Sequence, residues 1–102
     1  MVIPYSLRHY HMSDILPNIT VLYFAAASTA TGLASESIPI PYEGLKLSEL
    51  GNVLTSRHAK SNLGNVLNSS RWSVDLEMID DPEVIVLKGG EEVAVICPVS
   101  GG

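Results

Sequence analysis

The sequence predicts an α+β fold, with one main helix packed on one face of a small mixed sheet. Three observations carry this. Runs with strand character stand near both ends, at residues 19–26 and 91–97. Residues 45–60 set Leu47, Leu50 and Leu54 at i, i+3, i+7 spacing, with Val53 beside the stripe, so a single helix face is apolar. The order strand, short helix, edge strand, helix, strand, hairpin leaves one long helix to cover the sheet.

Residues 19–26 (ITVLYFAA) are apolar at nearly every position, which predicts a strand covered on both faces. Residues 25–31 are small and helix-tolerant, and Gly32 suits a C-terminal cap. Residues 37–42 alternate Ile38, Pro39, Ile40 and Pro41; proline donates nothing to a ladder, so a strand here lies at an edge. If residues 38–40 pair with the first strand, the short helix reduces to a widened turn. In the main helix Ser48 is the expected N-cap, and Glu49 suits the positive end of the dipole. Residues 61–70 predict a second short helical turn and then a loop. Residues 72–79 read as one strand, with Trp72, Val74, Leu76 and Met78 on one face and Ser73, Asp75 and Glu77 on the other. Asp80-Asp81-Pro82 is a turn, and residues 83–88 and 91–97 flank Gly89-Gly90 as a hairpin. Pro98 ends the last strand. The expected layout is an N-terminal extension at 1–18 (or an alternative start at Met12), a domain at 19–97 and a tail at 98–102.

The chain has 102 residues and a formal charge of −5, which argues against nucleic-acid binding through a basic surface. Its longest uncharged apolar run, residues 21–27, is far short of the roughly 20 residues of a membrane helix. The one cysteine, Cys97, excludes an internal disulfide and points to a reducing, cytoplasmic setting. Charge is uneven. Asp75, Glu77, Asp80, Asp81, Glu83, Glu91 and Glu92 crowd residues 75–92, whereas Lys46, Arg57, Lys60 and Arg71 lie in residues 45–71. An ordinary solvated surface explains this, as does an acidic face that steers the tail onto a basic partner.

Candidate chemistry inside the domain is thin. His9 and His11 make a two-ligand pair with no further ligand nearby, so no metal site is expected. His58 near the helix end interacts with the dipole. Cys97 shares a strand face with Val93 and Val95 and reads as a buried small hydrophobe. LGNVL occurs at 50–54 and again at 63–67, too short an echo for a repeat architecture. No serine is placed beside a histidine by a recognisable motif. The tail stands apart. Gly101 and Gly102 carry no Cβ, and residues 98–102 can span about 17 Å when extended, enough to carry a carboxylate into a neighbour's active site.

The stretch LKGGEEVAVICPVSGG at 87–102 resembles the end of the small subunits of molybdopterin synthase. VLYFAAA at 21–27 with Thr31-Gly32, and LSEL at 47–50, resemble that family's opening strand, short helix and main helix. Gly90 stands where the family usually has Asp, and Cys97 where it often has Pro. The resemblance, over residues 19–102, implies a ubiquitin-like β-grasp fold and a sulfur-carrier role. An ATP-using activating enzyme of the ubiquitin-activating type would adenylate the carboxylate of Gly102. A sulfurtransferase would convert it to a thiocarboxylate, and the sulfur would pass to cyclic pyranopterin monophosphate. The resemblance implies that Gly101 is the spacer, Val99 an anchor, Ser100 part of the inserted tail and Pro98 the strand stop. It also implies no resident cofactor or metal, a large subunit supplying the catalytic side chains in a heterotetramer, and no nucleic-acid or membrane partner. Sulfur carriers for thiamine synthesis or tRNA thiolation, and ubiquitin-like modifiers, are the alternatives.

Overall fold

The opening segment alternates in burial along Asn18–Tyr23, strand β1, with Ile19, Val21 and Tyr23 buried and Thr20 exposed. The computed structural model describes residues 16–98. Strand β1 thus buries one face, although its sequence is apolar on both; Leu22 looks outward and is only half-buried. Helix α1, Ala25–Thr31, follows at once and ends on Gly32 in the left-handed conformation, whose N–H reaches Ser28 O at 2.8 Å. Strand β2, Ser35–Pro39, returns antiparallel to β1 with Ile38 opposite Ile19. It is an edge strand, consistent with Pro39 at its end. The pairing and the helix coexist, so α1 is more than a widened turn.

Two sequence expectations fail around the main helix. Leu45–Lys46 is a short strand, β3, and helix α2 covers Leu47–Arg57, shorter than residues 45–60. Ser48 lies inside the helix, and the N-cap is Lys46, which makes no side-chain cap bond. The Leu47 N–H donates instead to Ile85 O at 2.9 Å, because β3 pairs with strand β6, Val86–Leu87. That backbone partner does what a capping side chain would otherwise do. Leu47, Leu50 and Leu54 are fully buried, as the spacing requires. Helix α3, Leu63–Asn68, supplies Leu63 to the same core.

Residues 72–79 are not one strand. Strand β4, Arg71–Val74, pairs antiparallel with β5, Glu77–Ile79, across the two-residue turn Asp75-Leu76. Both turn residues have positive φ, at 48° and 73°, the arrangement that suits the right-handed twist of a tight hairpin. Leu76 consequently leaves the apolar face and is 90% exposed. The 3-10 turn Pro82–Val84 then leads to β6.

The expected hairpin around Gly89-Gly90 is absent. Strand β7, Glu92–Ile96, pairs parallel with β1 and antiparallel with β4, and it is the middle strand of a sheet ordered β2-β1-β7-β4-β5. Leu87 is buried and opposite Leu45, so β6 is committed to a separate two-stranded sheet. The glycine pair carries the chain from one sheet to the other. Gly89 and Gly90 have φ of 125° and 88°. The Glu91 carboxylate accepts the N–H of Lys88 at 2.8 Å and of Gly89 at 2.7 Å, and the Gly90 N–H donates to Asn18 O at 2.7 Å. The result is the mixed sheet with one helix crossing its inner face that defines the β-grasp.

The two glycines separate steric from conformational cost. A Cβ on Gly89 would stand 2.6 Å from Pro17 Cβ, whereas one on Gly90 would meet nothing within 4 Å. Gly89→Ala is expected to lower stability by about 3 kcal/mol, and Gly90→Ala by only about 1 kcal/mol, the cost of the left-handed backbone. Urea unfolding of both variants measures the difference.

Candidate functional site

The parallel pairing of β7 with β1 decides where the chain's last residues leave the domain. Tyr23, the last residue of β1, stands opposite Val95, so Phe24 just beyond it comes level with Ile96, the last residue of β7. Cys97 follows the strand and is half-buried. Its thiol donates to Phe24 O at 3.4 Å and accepts from Ser70 Oγ at 3.8 Å. It still packs against the core, but beyond the ladder rather than within it. These contacts clamp the chain one residue before Pro98, which is exposed. Of the residues expected to form the tail site, Pro98 is therefore at the strand's exit. Val99, Ser100, Gly101 and Gly102 lie outside the described residues, as do His9 and His11.

The outer face of the sheet borders this exit. Cross-strand pairing sets Ser35, Leu22, Ala94, Ser73 and Met78 in one row across all five strands. The central members, Ala94 and Ser73, are small, so the row is shallow at its middle. Met78 and Phe24 are 46% and 50% exposed. Phe24 thus lies beside the chain's exit, and Met78 on the far edge strand β5. The residue after Phe24 adds local strain: Ala25 has φ 49°, unusual for a residue with a Cβ.

The acidic stretch has mostly local work. Asp75 Oδ1 accepts the Glu92 N–H at 2.9 Å, and Asp81 Oδ1 accepts the Glu83 N–H at 3.0 Å. Asp80 pairs with Arg71 at 3.3 Å and Glu83 with Lys46 at 3.7 Å. Together with the turn held by Glu91, these contacts favour the ordinary-surface reading of that charge. Among the described residues, no group of three His, Cys, Asp or Glu stands together to hold a metal, and no helix is long and apolar enough to cross a membrane.

A second polar centre escaped the sequence reading. Glu36 on β2 accepts from the Tyr23 hydroxyl at 2.8 Å, meets His58 Nε2 at 2.8 Å and accepts from Arg57 Nε at 3.2 Å. The His58 ring sits edge-on to Tyr23, 6.1 Å between centroids. This ties edge strand β2 to the C-terminal end of α2. His58 is thus anchored by a carboxylate, beyond any interaction with the helix dipole. The available signal was phase: Glu36 alternates with Ile38 and Ile40, both buried, so its side chain had to face inward. Burial alone would raise the Glu36 carboxyl, but hydrogen bonds from His58, Tyr23 and Arg57 outweigh it and hold the group below the usual carboxylate range. Burial, reinforced by the Glu36 carboxylate, pushes the Tyr23 hydroxyl up.

The ThiS family model matches residues 21–102. The molybdopterin synthase sulfur carrier subunit of Mycosarcoma maydis is 42% identical over 93 residues, covering 89% of this chain and 100% of that protein. The human protein of the same name is 38% identical over 88 residues, covering 85% and 97%. Among solved structures, the complex of subunits 1 and 2 of molybdopterin-converting factor from Helicobacter pylori contains a chain that superposes with a TM-score of 0.60 at 22% identity, covering 83% of this chain and 99% of that one.

A depressed folded-state pKa means that Glu36 stabilises the fold above its ordinary value of 4.5, and that this contribution is lost as pH falls through the lower folded value. Glu36→Gln is expected to cost about 1–2 kcal/mol at pH 7 and to flatten the loss of stability below pH ~4.5. Denaturant midpoints measured from pH 7 to pH 3 for both proteins check the sign.

Proposed function

The chain belongs to the ThiS family, and from that membership we propose that it works as the sulfur carrier subunit of a molybdopterin synthase, through the carboxylate of Gly102. One observation carries this reading: the family match begins in β1 and runs to the final glycine, directly beyond the strand that the sheet holds on both sides.

The chemistry follows from the carboxylate. At neutral pH it is a poor electrophile. An activating enzyme with ATP joins it to AMP and releases pyrophosphate, which gives the acyl carbon a good leaving group. A sulfur donor then displaces AMP and leaves a thiocarboxylate. The soft sulfur is a nucleophile on a short tether. Gly101 and Gly102 let the backbone enter a narrow channel, because neither adds a Cβ. Val99 supplies an apolar anchor, Ser100 a small polar link, and Pro98 prevents the ladder of β7 from continuing into the tail. In this reading the domain supplies reach and a docking face, while the large subunit supplies the acid–base groups and receives the sulfur for cyclic pyranopterin monophosphate. The partly exposed Leu22 and Met78 of that row, and Phe24 beside the chain's exit, support the outer sheet face as the surface that subunit covers. A second subunit is bound in the Helicobacter pylori structure, which supports a two-component assembly here. The cytosol is the proposed setting, and no resident cofactor is required.

Reconstitution with the large subunit tests the assignment. Removal of Gly102 is expected to take sulfur transfer below detection and to leave the urea midpoint unchanged. Gly101→Ala is expected to slow transfer by about tenfold or more through its added Cβ. Transfer at the normal rate without Gly102 would overturn the carrier role.

A further inference from the structure

The C-terminal ends of α1 and α2 border a surface pocket of about 500 Å3, whose lining includes Thr31, Ser56, Arg57, His58, Lys60 and Ser61. We infer that this pocket binds a small oxyanion of the phosphate class. The chain carries a formal charge of −5, yet the lining holds a guanidinium, an ammonium and an imidazole, and no carboxylate.

Glu36 makes the arrangement directional. It engages Arg57 only at Nε and His58 only at Nε2. Among the described residues, the terminal nitrogens of Arg57 have no hydrogen bond, and Lys60 Nζ has no ion pair. The guanidinium is therefore oriented but not consumed, and His58 keeps Nδ1 free of that carboxylate. Helix C-termini would normally repel an anion. Here three of the carbonyls at these ends, those of Ala27, Ser28 and His58, are already answered, and the Arg57 and Lys60 cations oppose the rest. Thr31 Oγ1 donates to Ala27 O at 3.0 Å and the Gly32 N–H to Ser28 O at 2.8 Å. His58 O accepts both the Ser61 N–H at 2.9 Å and Ser61 Oγ at 2.7 Å. With the Thr31 and Ser61 hydroxyls engaged in this way, the donors left for a ligand are Arg57 Nη, Lys60 Nζ and Ser56 Oγ. A planar fork, a mobile point charge and a hydroxyl suit a tetrahedral anion better than a single carboxylate. The ligand group is a phosphate, carried by a small molecule or by a phosphorylated side chain. This site shares no residue with the expected tail and does not depend on the carrier reading.

The test is a titration of the full chain followed in amide 1H–15N spectra, at constant ionic strength maintained with chloride. Inorganic phosphate is expected to give saturable shifts centred on Arg57, His58 and Lys60. Lys60→Ala should weaken the fitted Kd by about fivefold, and Lys88→Ala, a cation outside the lining, by less than twofold. Pyrophosphate and a phosphoserine peptide are then compared with phosphate. Tighter binding of the first assigns the site to a free small molecule, and tighter binding of the second to a modified protein; both support an oxyanion site. Shifts that never saturate, or equal losses from Lys60→Ala and Lys88→Ala, would mean diffuse attraction only and would overturn the proposal.

Discussion

The hydrogen-bond ladder between β1 and β7 is the constraint on which the rest of the molecule depends. The first and last strands of the domain run parallel and side by side, Thr20 opposite Glu92 and Tyr23 opposite Val95. A parallel pair cannot be closed by a tight turn, so the whole intervening chain must serve as the crossover. That chain contains the main helix, and Leu47, Leu50 and Leu54 seal the inner face of the sheet formed by Val21, Tyr23, Val93 and Val95. Because β4 occupies the other side of β7, the last strand is locked at the centre of the sheet. A segment that leaves such a strand starts from a fixed point. The short apolar row on the outer face starts from the same frame. A rigid base is what the proposed carriage of a reactive group on the last residues needs.

The edges of the fold are held by a different kind of force. Strand β2 has one ladder and ends on Pro39, and a second attachment holds it. Glu36 provides it by gathering Tyr23, Arg57 and His58 from a strand and a helix end. A half-buried carboxylate with three donors is stabilising only while it is ionised, which links this edge to pH. The same carboxylate aims two basic groups toward the neighbouring pocket, so the device that secures the edge also shapes a positive patch on an acidic protein.

Much of this was legible in the residues, and the failures share a cause. The helix stripe and the Gly32 cap are local signals and appear where the pattern put them; the edge strand exists but begins two residues earlier, at Ser35, and the last strand ends at Ile96, two residues before Pro98. The Gly89-Gly90 hairpin was wrong because two apolar runs flanking glycines look alike whether they pair with each other or with distant strands. Leu45 and Leu87 decide the matter through a contact that no window of sequence contains. Asp75-Leu76 was missed because an alternating run gives no warning when its turn carries a leucine instead of glycine or asparagine. Ser48 lost its capping role to Ile85 O for the same non-local reason. In the candidate site, the terminal motif was readable because it is contiguous, whereas the Glu36 centre draws on residues 23, 36, 57 and 58 and exists only once the chain is folded.

The most direct measurement is the intact mass of the full chain after incubation with ATP, its activating enzyme and a sulfur donor, beside the same reaction without ATP. Carrier function requires a mass gain equal to sulfur replacing one oxygen, confined to the C-terminal peptide on fragmentation and absent without ATP. An unchanged mass, with the activating enzyme shown to be active on another carrier, would contradict the account.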